Sequence, residues 1–424
     1  MEITAIEAFK KKALRWSASF EVCCCLDSNQ YPDPYAQYDL LIAAGAKHSL
    51  NAGIGNAFEQ LKTFYQHHQD WMFGLLSYEL KNEVEQLQTL HTDKLDFPAL
   101  YFFVPEYLIA IKDNHASLLK GDENVWEKIE NFCPDTTAQT GPLVINRRFD
   151  RQDYIHTVEQ LKEHIKRGDC YEINFCQEFF AENAHIDPVA TYQDLNALSP
   201  TPFSGFFKIG ERYILSATPE RFLCKRGNRL ISQPIKGTAK RSKDPILDAE
   251  IKLGLKSSIK EQAENVMIVD LVRNDLTKSA VSGSVKVDEL FGIYTFPQVH
   301  QMISTISCTL NPTIHFVDAI KNTFPMGSMT GAPKIRAMEL IDTYEKSKRG
   351  AFSGSFGCIS PTGDFDFNVI IRSILYHAEN RYLSFQVGGA ITYVANAEEE
   401  YEECLLKASA ILKVLESKNR KLKG

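Results

Sequence analysis

Apolar residues in the second half of the chain recur at helical spacing or alternate with polar ones. Asp150 and Gly168 occupy the positions of a helix N-cap and a terminating glycine, and between them apolar residues recur at steps of three and four: Tyr154, Val158, Leu161 and Ile165. Residues 171–176 then alternate as a strand does, with one face formed by Tyr171, Ile173 and Phe175. The pattern predicts a helix followed directly by a strand.

Two further helices and a series of strands are predicted. Ser258 and Glu261 have capping-box spacing and open a helix whose apolar residues should be mostly buried: Ala263, Val266, Ile268, Val269, Leu271 and Val272. The last helix begins near Ala397 and carries an apolar stripe of Tyr401, Leu405, Ala408, Leu412 and Leu415. Short apolar runs predict strands at residues 212–215, 221–225, 229–231, 358–359, 367–376 and 382–387.

Strand runs are mixed with separate helices and show no strict βαβ alternation, which favours an α+β fold with antiparallel sheets. Residues 1–140 have weaker patterns, with apolar runs at 71–78 and 99–104. The stretch Asn131–Pro142 has the composition of a linker or exposed loop. We therefore expect a divergent N-terminal part over residues 1–140 and a second part over residues 145–415, together forming one intertwined unit.

Composition narrows the functional classes. The 424 residues are 44% hydrophobic and 24% charged, which is typical of a globular protein. A net charge of −7 gives no general attraction for nucleic acid or an anionic membrane, so an anionic ligand needs a local site. The ten cysteines lack the spacing of a zinc site and predict reduced, mostly buried thiols. Because no apolar segment suits a signal peptide or membrane span, we expect a cytoplasmic protein.

Carboxylates interrupt the apolar pattern of two predicted helices. Glu264 lies among Val and Ile residues, where an unpaired charge is costly, and Glu261 faces the same way. Glu400, Glu403 and Lys407 form a polar edge of the last helix. One interpretation of this edge is a solvated face with a Glu403–Lys407 ion pair. Alternatively, carboxylates from both helices converge on Mg²⁺, which hard oxygen ligands without nearby His or Cys favour.

Glycines mark two places where the backbone can approach a ligand. Gly327 and Gly331 lie in the loop PMGSMTGAPK, residues 325–334, directly before a predicted helix. The first N–H groups of such a helix suit a carboxylate or phosphate, although the spacing of a P-loop is absent. Gly388 and Gly389 either allow close approach of a ligand or form a simple tight turn, and the sequence leaves both interpretations open.

Nine segments together resemble the chorismate-binding domain shared by anthranilate synthase, aminodeoxychorismate synthase, isochorismate synthase and salicylate synthase. They are GDCYEINF (168–175), SPTPFSGFF (199–207), TPERF (218–222), PIKGTAKR (234–241), EQAENVMIVDLVRNDL (261–276), VHQMIST (299–305), FPMGSMTGAPKIRAMELID (324–342), FNVIIRS (367–373) and EYEECLLKA (400–408). The N-terminal third matches weakly, through FGLLSYEL (73–80). The resemblance implies an anthranilate-synthase-type fold, with antiparallel sheets forming a sandwich flanked by helices, and a chorismate-binding catalytic domain over residues 145–415.

The resemblance also implies a metal and a substrate site. By it, Glu264 and Glu403 are Mg²⁺ ligands, with Glu261 and Glu400 close by through water, and the metal holds the ring carboxylate of chorismate. Arg372 and Lys407 are expected to bind the substrate's carboxylates, since a guanidinium fork fits a carboxylate bidentately. Backbone and hydroxyl groups are expected to complete the substrate site at Thr238, Gly331, Gly388 and Gly389.

Glu220, in TPERF, resembles the general acid that protonates the departing C4 hydroxyl of chorismate. Hydroxide is a poor leaving group, so this chemistry needs a positioned, protonated carboxyl. A surface ion pair of Glu220 with Arg221 or Arg241 is the alternative interpretation.

Lys236, in PIKGT, occupies a position that separates the branches of the family: anthranilate synthases usually have Ala there and aminodeoxychorismate synthases Lys. By this resemblance an unprotonated Lys236 attacks C2 as the C4 hydroxyl leaves, and ammonia then opens the adduct at C4. The pKa of Lys236 must then be depressed by burial or by neighbouring cations. Alternatively, Lys236 only pairs with substrate charge.

Two further positions bear on the reaction. Isochorismate and salicylate synthases have a water-activating lysine where this chain has Glu172, so addition of water is disfavoured. Aminodeoxychorismate synthases often have Gln there, which leaves the role of Glu172 open. The family's usual His is replaced by Gln301, whose role is also open.

The sequence therefore predicts an enzyme that aminates C4 of chorismate, as aminodeoxychorismate synthase component I does. No cysteine lies in the GxCxG context of a glutaminase, so ammonia is expected from a separate glutamine amidotransferase subunit, component II, or from free ammonium. The nearest alternative is anthranilate synthase component I. A chorismate-binding protein without catalysis is a third, and it fits poorly with the presence of Glu220, Lys236, Glu264 and Glu403.

Overall fold

The computed structural model describes residues 6–85, 87–89, 91–133 and 141–420. Within these ranges the chain forms helices α1 (Ile6–Ser17), α2 (Ala57–His68), α3 (Lys81–Val84), α4 (Val125–Glu130), α5 (Arg151–Lys166), α6 (Pro188–Leu198), α7 (Pro245–Ser257), α8 (Ile259–Thr277), α9 (Phe316–Thr323), α10 (Lys334–Tyr344) and α11 (Ala397–Arg420). Two short 3₁₀ helices cover Tyr78–Leu80 and Gly327–Met329.

The strands are β1 (Val22–Asp27), β2 (Leu40–Ala52), β3 (Met72–Leu76), β4 (Leu100–Lys112), β5 (His115–Lys120), β6 (Asn146–Arg147), β7 (Glu172–Ala181), β8 (Ser204–Ile209), β9 (Arg212–Ser216), β10 (Arg221–Arg226), β11 (Arg229–Gln233), β12 (Ile235–Lys240), β13 (Lys286–Thr295), β14 (Val299–Thr309), β15 (Gly331–Ala332), β16 (Ser355–Ile359), β17 (Phe365–Asn368), β18 (Ser373–His377) and β19 (Tyr382–Thr392).

Every strand pairing in the described part of the chain is antiparallel. One layer has the order β5-β4-β2-β1-β8-β9-β18-β19-β7, with β6 and β15 paired to β7. The other has the order β4-β3-β16-β17-β10-β11-β14, with β12 and β13 also paired to β14. The long strand β4 belongs to both layers and joins them.

Two hydrophobic cores result from the alternation of side chains along the first layer. In β1, Cys24 faces the core between the layers, where Phe356 and Phe367 of the second layer also lie. Its neighbours Cys23 and Cys25 face a second core, formed with α1, α5, α6, α10 and α11. Opposite faces of one strand thus serve two cores. This arrangement is the antiparallel sandwich flanked by helices that the sequence predicts.

The N-terminal strands are not a separate layer. β1 pairs with β8 and β3 pairs with β16, so strands from the first third of the chain lie inside both sheets. The division at residues 140 and 145 stays a prediction, and residues 134–140 of the expected linker lie outside the described residues.

Several predicted elements form as expected. The Asp150 carboxylate accepts a hydrogen bond from the backbone N–H of Asp153 and caps α5, and the Ser258 hydroxyl caps α8 through the N–H of Glu261. α11 begins at Ala397, as predicted. The local capping chemistry is sufficient to place these helix starts.

Three details of the sequence prediction are wrong. Tyr171 precedes β7 and is 67% exposed, because the strand begins only where it pairs with β19 at Glu172. On α8, Ala263 and Val266 face outward, since the helix buries the sides toward β12, β14 and α9. The strand expected over residues 367–376 is two strands, β17 and β18, separated by a turn in which Arg372 has a φ of 52°.

The ten cysteines carry free thiols, of which Cys133 alone is exposed, as the scattered spacing predicts. No helix within the described ranges combines the length and the apolar character needed to span a membrane.

Candidate active site

A cleft of about 980 Å³, its open mouth included, lies where β12, α8, β19 and α11 meet. This volume suits a small molecule. All but one of the site residues predicted from the sequence line it: Glu220, Lys236, Thr238, Glu261, Glu264, Arg372, Gly388, Gly389, Glu400, Glu403 and Lys407. Segments far apart in the chain therefore place these side chains around one cavity.

Gly331 is the exception and lies behind the cleft, outside its lining. It is buried in β15 with a φ of +147°, and a Cβ there would come within 2.2 Å of the Glu172 carbonyl oxygen. The glycine is required by close packing of β15 on β7. The structure therefore gives no support to the expected contact of Gly331 with substrate, which stays a prediction.

Four carboxylates converge on the cleft from two helices. Glu261 and Glu264 lie one turn apart on α8, and Glu400 and Glu403 lie in the first turns of α11. Burial raises the pKa of Glu264 to about 7 and that of Glu400 to about 7, and it also raises the pKa of Glu261. Their negative charges are only partly compensated.

Two lysines face these carboxylates. Lys407 Nζ lies 2.7 Å from Glu403 Oε1 and donates to the Gly388 carbonyl at 2.8 Å. The Lys407 charge lowers the pKa of Glu403. The predicted Glu403–Lys407 pair is thus present, but it lines the cleft and is no ordinary solvated face.

Lys260 was not among the predicted site residues. Its Nζ lies 3.7 Å from Glu400 Oε1. Burial lowers the pKa of Lys260, but the charges of the four carboxylates raise it, and the net direction is upward. In the sequence Lys260 is a lysine in the first turn of a predicted helix, and its distance along the chain from other polar residues does not mark it as a site residue.

The four glutamates fit a divalent cation in two respects: they bring negative charge to the cleft, and one carboxylate oxygen is free to act as a ligand. Glu264 Oε1 is buried and has no hydrogen-bond partner among the described residues, which is costly unless a cation or another donor meets it. However, no three His, Cys, Asp or Glu side chains in the described part of the chain are grouped as a ready-made metal site. A cation held here would draw the two helices' carboxylates together.

Arg372 lies in the turn between β17 and β18 and lines both the cleft and a smaller adjoining cavity. Burial lowers its pKa, and the Glu403 charge acts in the opposite direction. Among the described residues no carboxylate is within ion-pair distance of its guanidinium. A cationic fork without a partner suits a carboxylate of a ligand.

Glu220 lies in the turn before β10 and is 4% exposed. Burial raises the pKa of its carboxyl to about 7, although the Ser328 hydroxyl and the Lys236 charge act to lower it. The alternative ion pairs are absent, since Arg221 binds Asp33 and Asp366 and Arg241 binds Asp248. A carboxyl that keeps its proton near neutral pH can act as an acid.

Lys236 points from β12 into the cleft and is 8% exposed. Its Nζ lies 2.5 Å from Glu172 Oε1, at the start of β7. Burial lowers the pKa of Lys236, but the charge and hydrogen bond of Glu172, together with the charges of Glu264 and Glu220, raise it, and the net direction is upward. The expected depressed pKa is therefore wrong for the protein without ligand, because the sequence did not reveal this pair.

Polar groups that the sequence did not assign complete the lining. Ser328 and Asn174 both line the cleft, and the Asn174 amide donates to the Ser328 carbonyl at 2.9 Å, which fixes the loop. Gln301 also lines it, with a buried Oε1 that has no hydrogen-bond partner. They lie within the motifs of the resemblance, but only the fold shows their direction.

Gly388 and Gly389 lie inside β19 and not in a tight turn. A Cβ at Gly388 would come within 1.9 Å of the Phe175 carbonyl oxygen on β7, whereas a Cβ at Gly389 would come within 2.8 Å of Glu400 Oε2. The first contact is with backbone and the second with the end of a flexible side chain.

We therefore expect Gly388→Ala to destabilise the protein by at least about 1–3 kcal/mol, since the backbone of β7 must move. Gly389→Ala is the matched control and should cost clearly less, because Glu400 can rotate away. Denaturant unfolding of both variants measures the difference. Equal losses of stability would contradict the role of the β7–β19 contact.

The chain matches, over residues 21–413, a family model described as chorismate binding enzyme. It is 36% identical to aminodeoxychorismate synthase component 1 of Escherichia coli (strain K12), over 82% of this chain and 79% of that protein. It is 32% identical to anthranilate synthase component 1 of Thermus thermophilus, over 81% of this chain and 77% of that protein.

The crystal structure of anthranilate synthase component I from Streptococcus pneumoniae TIGR4 has the same fold, with a TM-score of 0.78 at 25% identity. The match covers 90% of this chain and 93% of that one. Both the fold and the family resemblance expected from the residues are thereby confirmed. The chain belongs to the chorismate binding enzyme family.

Proposed function

We propose that the chain converts chorismate and ammonia to 4-amino-4-deoxychorismate, as component I of an aminodeoxychorismate synthase. The observation that carries this proposal is Lys236, a buried lysine that faces the cleft together with the proton-holding Glu220. The name of the Escherichia coli relative supports it.

Chorismate carries two carboxylates, and Arg372 and Lys407 are the cationic side chains of the cleft that we consider for them. Arg372 is a half-buried side chain whose guanidinium has no ion-pair partner among the described residues, and we assign it the enolpyruvyl carboxylate. Lys407 already pairs with Glu403, so it contributes to a charge network beside the ligand and not as a free cation. Thr238 is exposed on the cleft lining and can hydrogen bond to the substrate.

Mg²⁺ would be held by Glu264 and Glu403, with Glu261 and Glu400 close by. The unpaired Oε1 of Glu264 and the excess of negative charge support this assignment. When bound, the ion would neutralise the carboxylates and attract the ring carboxylate of chorismate.

The chemistry divides between Lys236 and Glu220. The neutral Lys236 amine forms a bond to C2, the ring double bonds shift, and the C4–O bond breaks as Glu220 supplies a proton, so that water leaves. Ammonia then bonds to C4, the double bonds shift back, and the C2–N bond to Lys236 breaks. Glu220 recovers its proton from the new C4 ammonium, so atoms and charges balance.

The ammonia source we propose is a glutamine amidotransferase subunit, component II. The designation "component 1" of the Escherichia coli relative supports a two-subunit enzyme. The free thiols support a reducing, cytoplasmic setting.

Anthranilate synthase component I is the second candidate, favoured by the likeness to the Thermus thermophilus enzyme. The two functions differ in their products. We expect the protein with chorismate, Mg²⁺ and ammonium to yield 4-amino-4-deoxychorismate by mass spectrometry, and p-aminobenzoate once a lyase is added. Fluorescent anthranilate without added lyase would contradict the proposal.

The Lys236→Ala variant should lose most C4 amination while Mg²⁺-dependent chorismate binding is retained, because the nucleophile is missing. Lys240→Ala is the matched control, since Lys240 lies on the same strand but is exposed and outside the cleft lining. Product formation and calorimetric binding measure the two effects. A wild-type rate for Lys236→Ala would exclude the nucleophile role, and loss of binding alone would indicate simple charge pairing.

Glu220→Gln should abolish turnover but stabilise the protein at alkaline pH. Folding raises the pKa of Glu220 from 4.5 to about 7. The stability that this group contributes is therefore fully present below pH 4.5 and is lost as the pH rises through about 7. The charged form then costs up to roughly 3 kcal/mol, which Gln does not incur. Wild-type turnover should likewise fall above about pH 7, where the acid loses its proton.

Thermal unfolding of both proteins at acidic and alkaline pH checks the stability effect, and pH profiles of kcat check the catalytic one. If the variant gains no stability at alkaline pH, Glu220 does not hold a proton in the folded state.

A further inference from the structure

The partner of Lys236 has no assigned role in the reaction. Glu172, at the start of β7, is 1% exposed and lies behind Lys236, outside the cleft lining. Its Oε1 lies 2.5 Å from Lys236 Nζ, and its Oε2 is buried with no hydrogen-bond partner in the part of the chain that the structure describes. The carboxylate therefore depends on one contact for its compensation, which is unusual for a buried charge.

A second buried lysine shows what a purely structural pair looks like in this fold. Lys334 Nζ also lies 2.5 Å from a carboxylate, Asp275 Oδ2, and it donates in addition to the carbonyl oxygens of Thr323 and Pro325. Its donors are used within the protein. In contrast, among the described residues Lys236 Nζ has a single hydrogen-bond partner, Glu172. Its remaining N–H donors are unused within the described part of the protein, and the side chain lines the cleft.

Resting on the function proposed above, we propose that Glu172 takes a proton from Lys236 when chorismate fills the cleft. The proton moves from Nζ to Oε1 across their contact, leaving a neutral amine toward C2 and a neutral carboxyl behind it. It returns to Nζ when the C2–N bond breaks in the second half of the reaction. Glu172 thus acts through Lys236 and is a positioning and proton-accepting residue.

The electrostatic surroundings of the pair are compatible with this transfer. Ligand binding removes water from the cleft. Without water, the ion pair of a charged lysine and a charged carboxylate is less stable relative to a neutral amine and a neutral carboxyl. The transfer also resolves the conflict between a raised pKa and a nucleophilic amine. The other ionisable groups that face Lys236 are carboxyls from the turn before β10, from α8 and from α11: Glu220, Glu264, Glu261, Glu400 and Glu403.

The test is Glu172→Gln, which keeps the length and a hydrogen-bond acceptor for Lys236 but cannot take a proton. In the variant Lys236 must lose its proton to solvent, so kcat should fall by about tenfold for each pH unit below the pKa of the lysine. Wild-type kcat should lack this steep acidic limb. Without chorismate, Lys236 of the variant should also be carbamylated faster by cyanate at neutral pH, measured by peptide mass spectrometry.

Controls separate proton transfer from packing. Glu172→Asp keeps an acceptor and should restore the wild-type pH profile with a lower kcat. Asp275→Asn removes the carboxylate of the other buried pair and should lower thermal stability without adding the acidic limb. If the Gln variant does not fold, the Asp variant should still show a larger solvent deuterium isotope effect on kcat than wild type.

A Glu172→Gln variant with the wild-type pH profile would overturn the inference, as would equal losses of kcat for Gln and Asp at every pH. An Asp variant with an unchanged isotope effect would overturn it too. These results differ from failure of the proposed function, in which the wild-type protein itself forms no 4-amino-4-deoxychorismate from chorismate and ammonium.

Discussion

The negative charge of four carboxylates gathered around one cavity is the constraint on which the cleft depends. α8 and α11 come from distant parts of the chain, yet they direct Glu261, Glu264, Glu400 and Glu403 into one cavity. Burial makes their charge costly, as the raised pKa of Glu264 and of Glu400 shows. Such a cluster is tolerated where a cation or a cationic network completes it, and here Lys260 and Lys407 do so in part.

The sandwich supplies the rigidity that this arrangement needs. β19 carries Gly388 and Gly389 against α11, while its partner β7 carries Glu172 behind Lys236. Both strands are buried in the layer that separates the two cores. The strands that carry Glu172, Gly388 and Gly389 are therefore held in place by apolar packing on both faces.

Local sequence patterns predict the starts of helices and the charged residues that interrupt apolar helices. The capping residues Asp150 and Ser258 place two helix starts, and the cost of burying Glu264 marks it as a site residue before any fold is known. Non-local contacts are different. The ionisation of Lys236 depends on Glu172, 64 residues away, and the turn at Arg372 interrupts a mostly apolar segment whose composition is that of one continuous strand. Neither can be read from a single segment.

The contact of Gly388 with β7 has a consequence for selectivity. A Cβ at Gly388 would lie 1.9 Å from the Phe175 carbonyl oxygen, so the space between β7 and β19 admits no side chain at this position. The wall of the cleft that β19 forms is therefore rigid. Its position is set by the backbone hydrogen bonds between β19 and β7 and not by adaptable side chains. A ligand must therefore fit this wall as it stands, since widening it would require breaking the hydrogen bonds between the two strands.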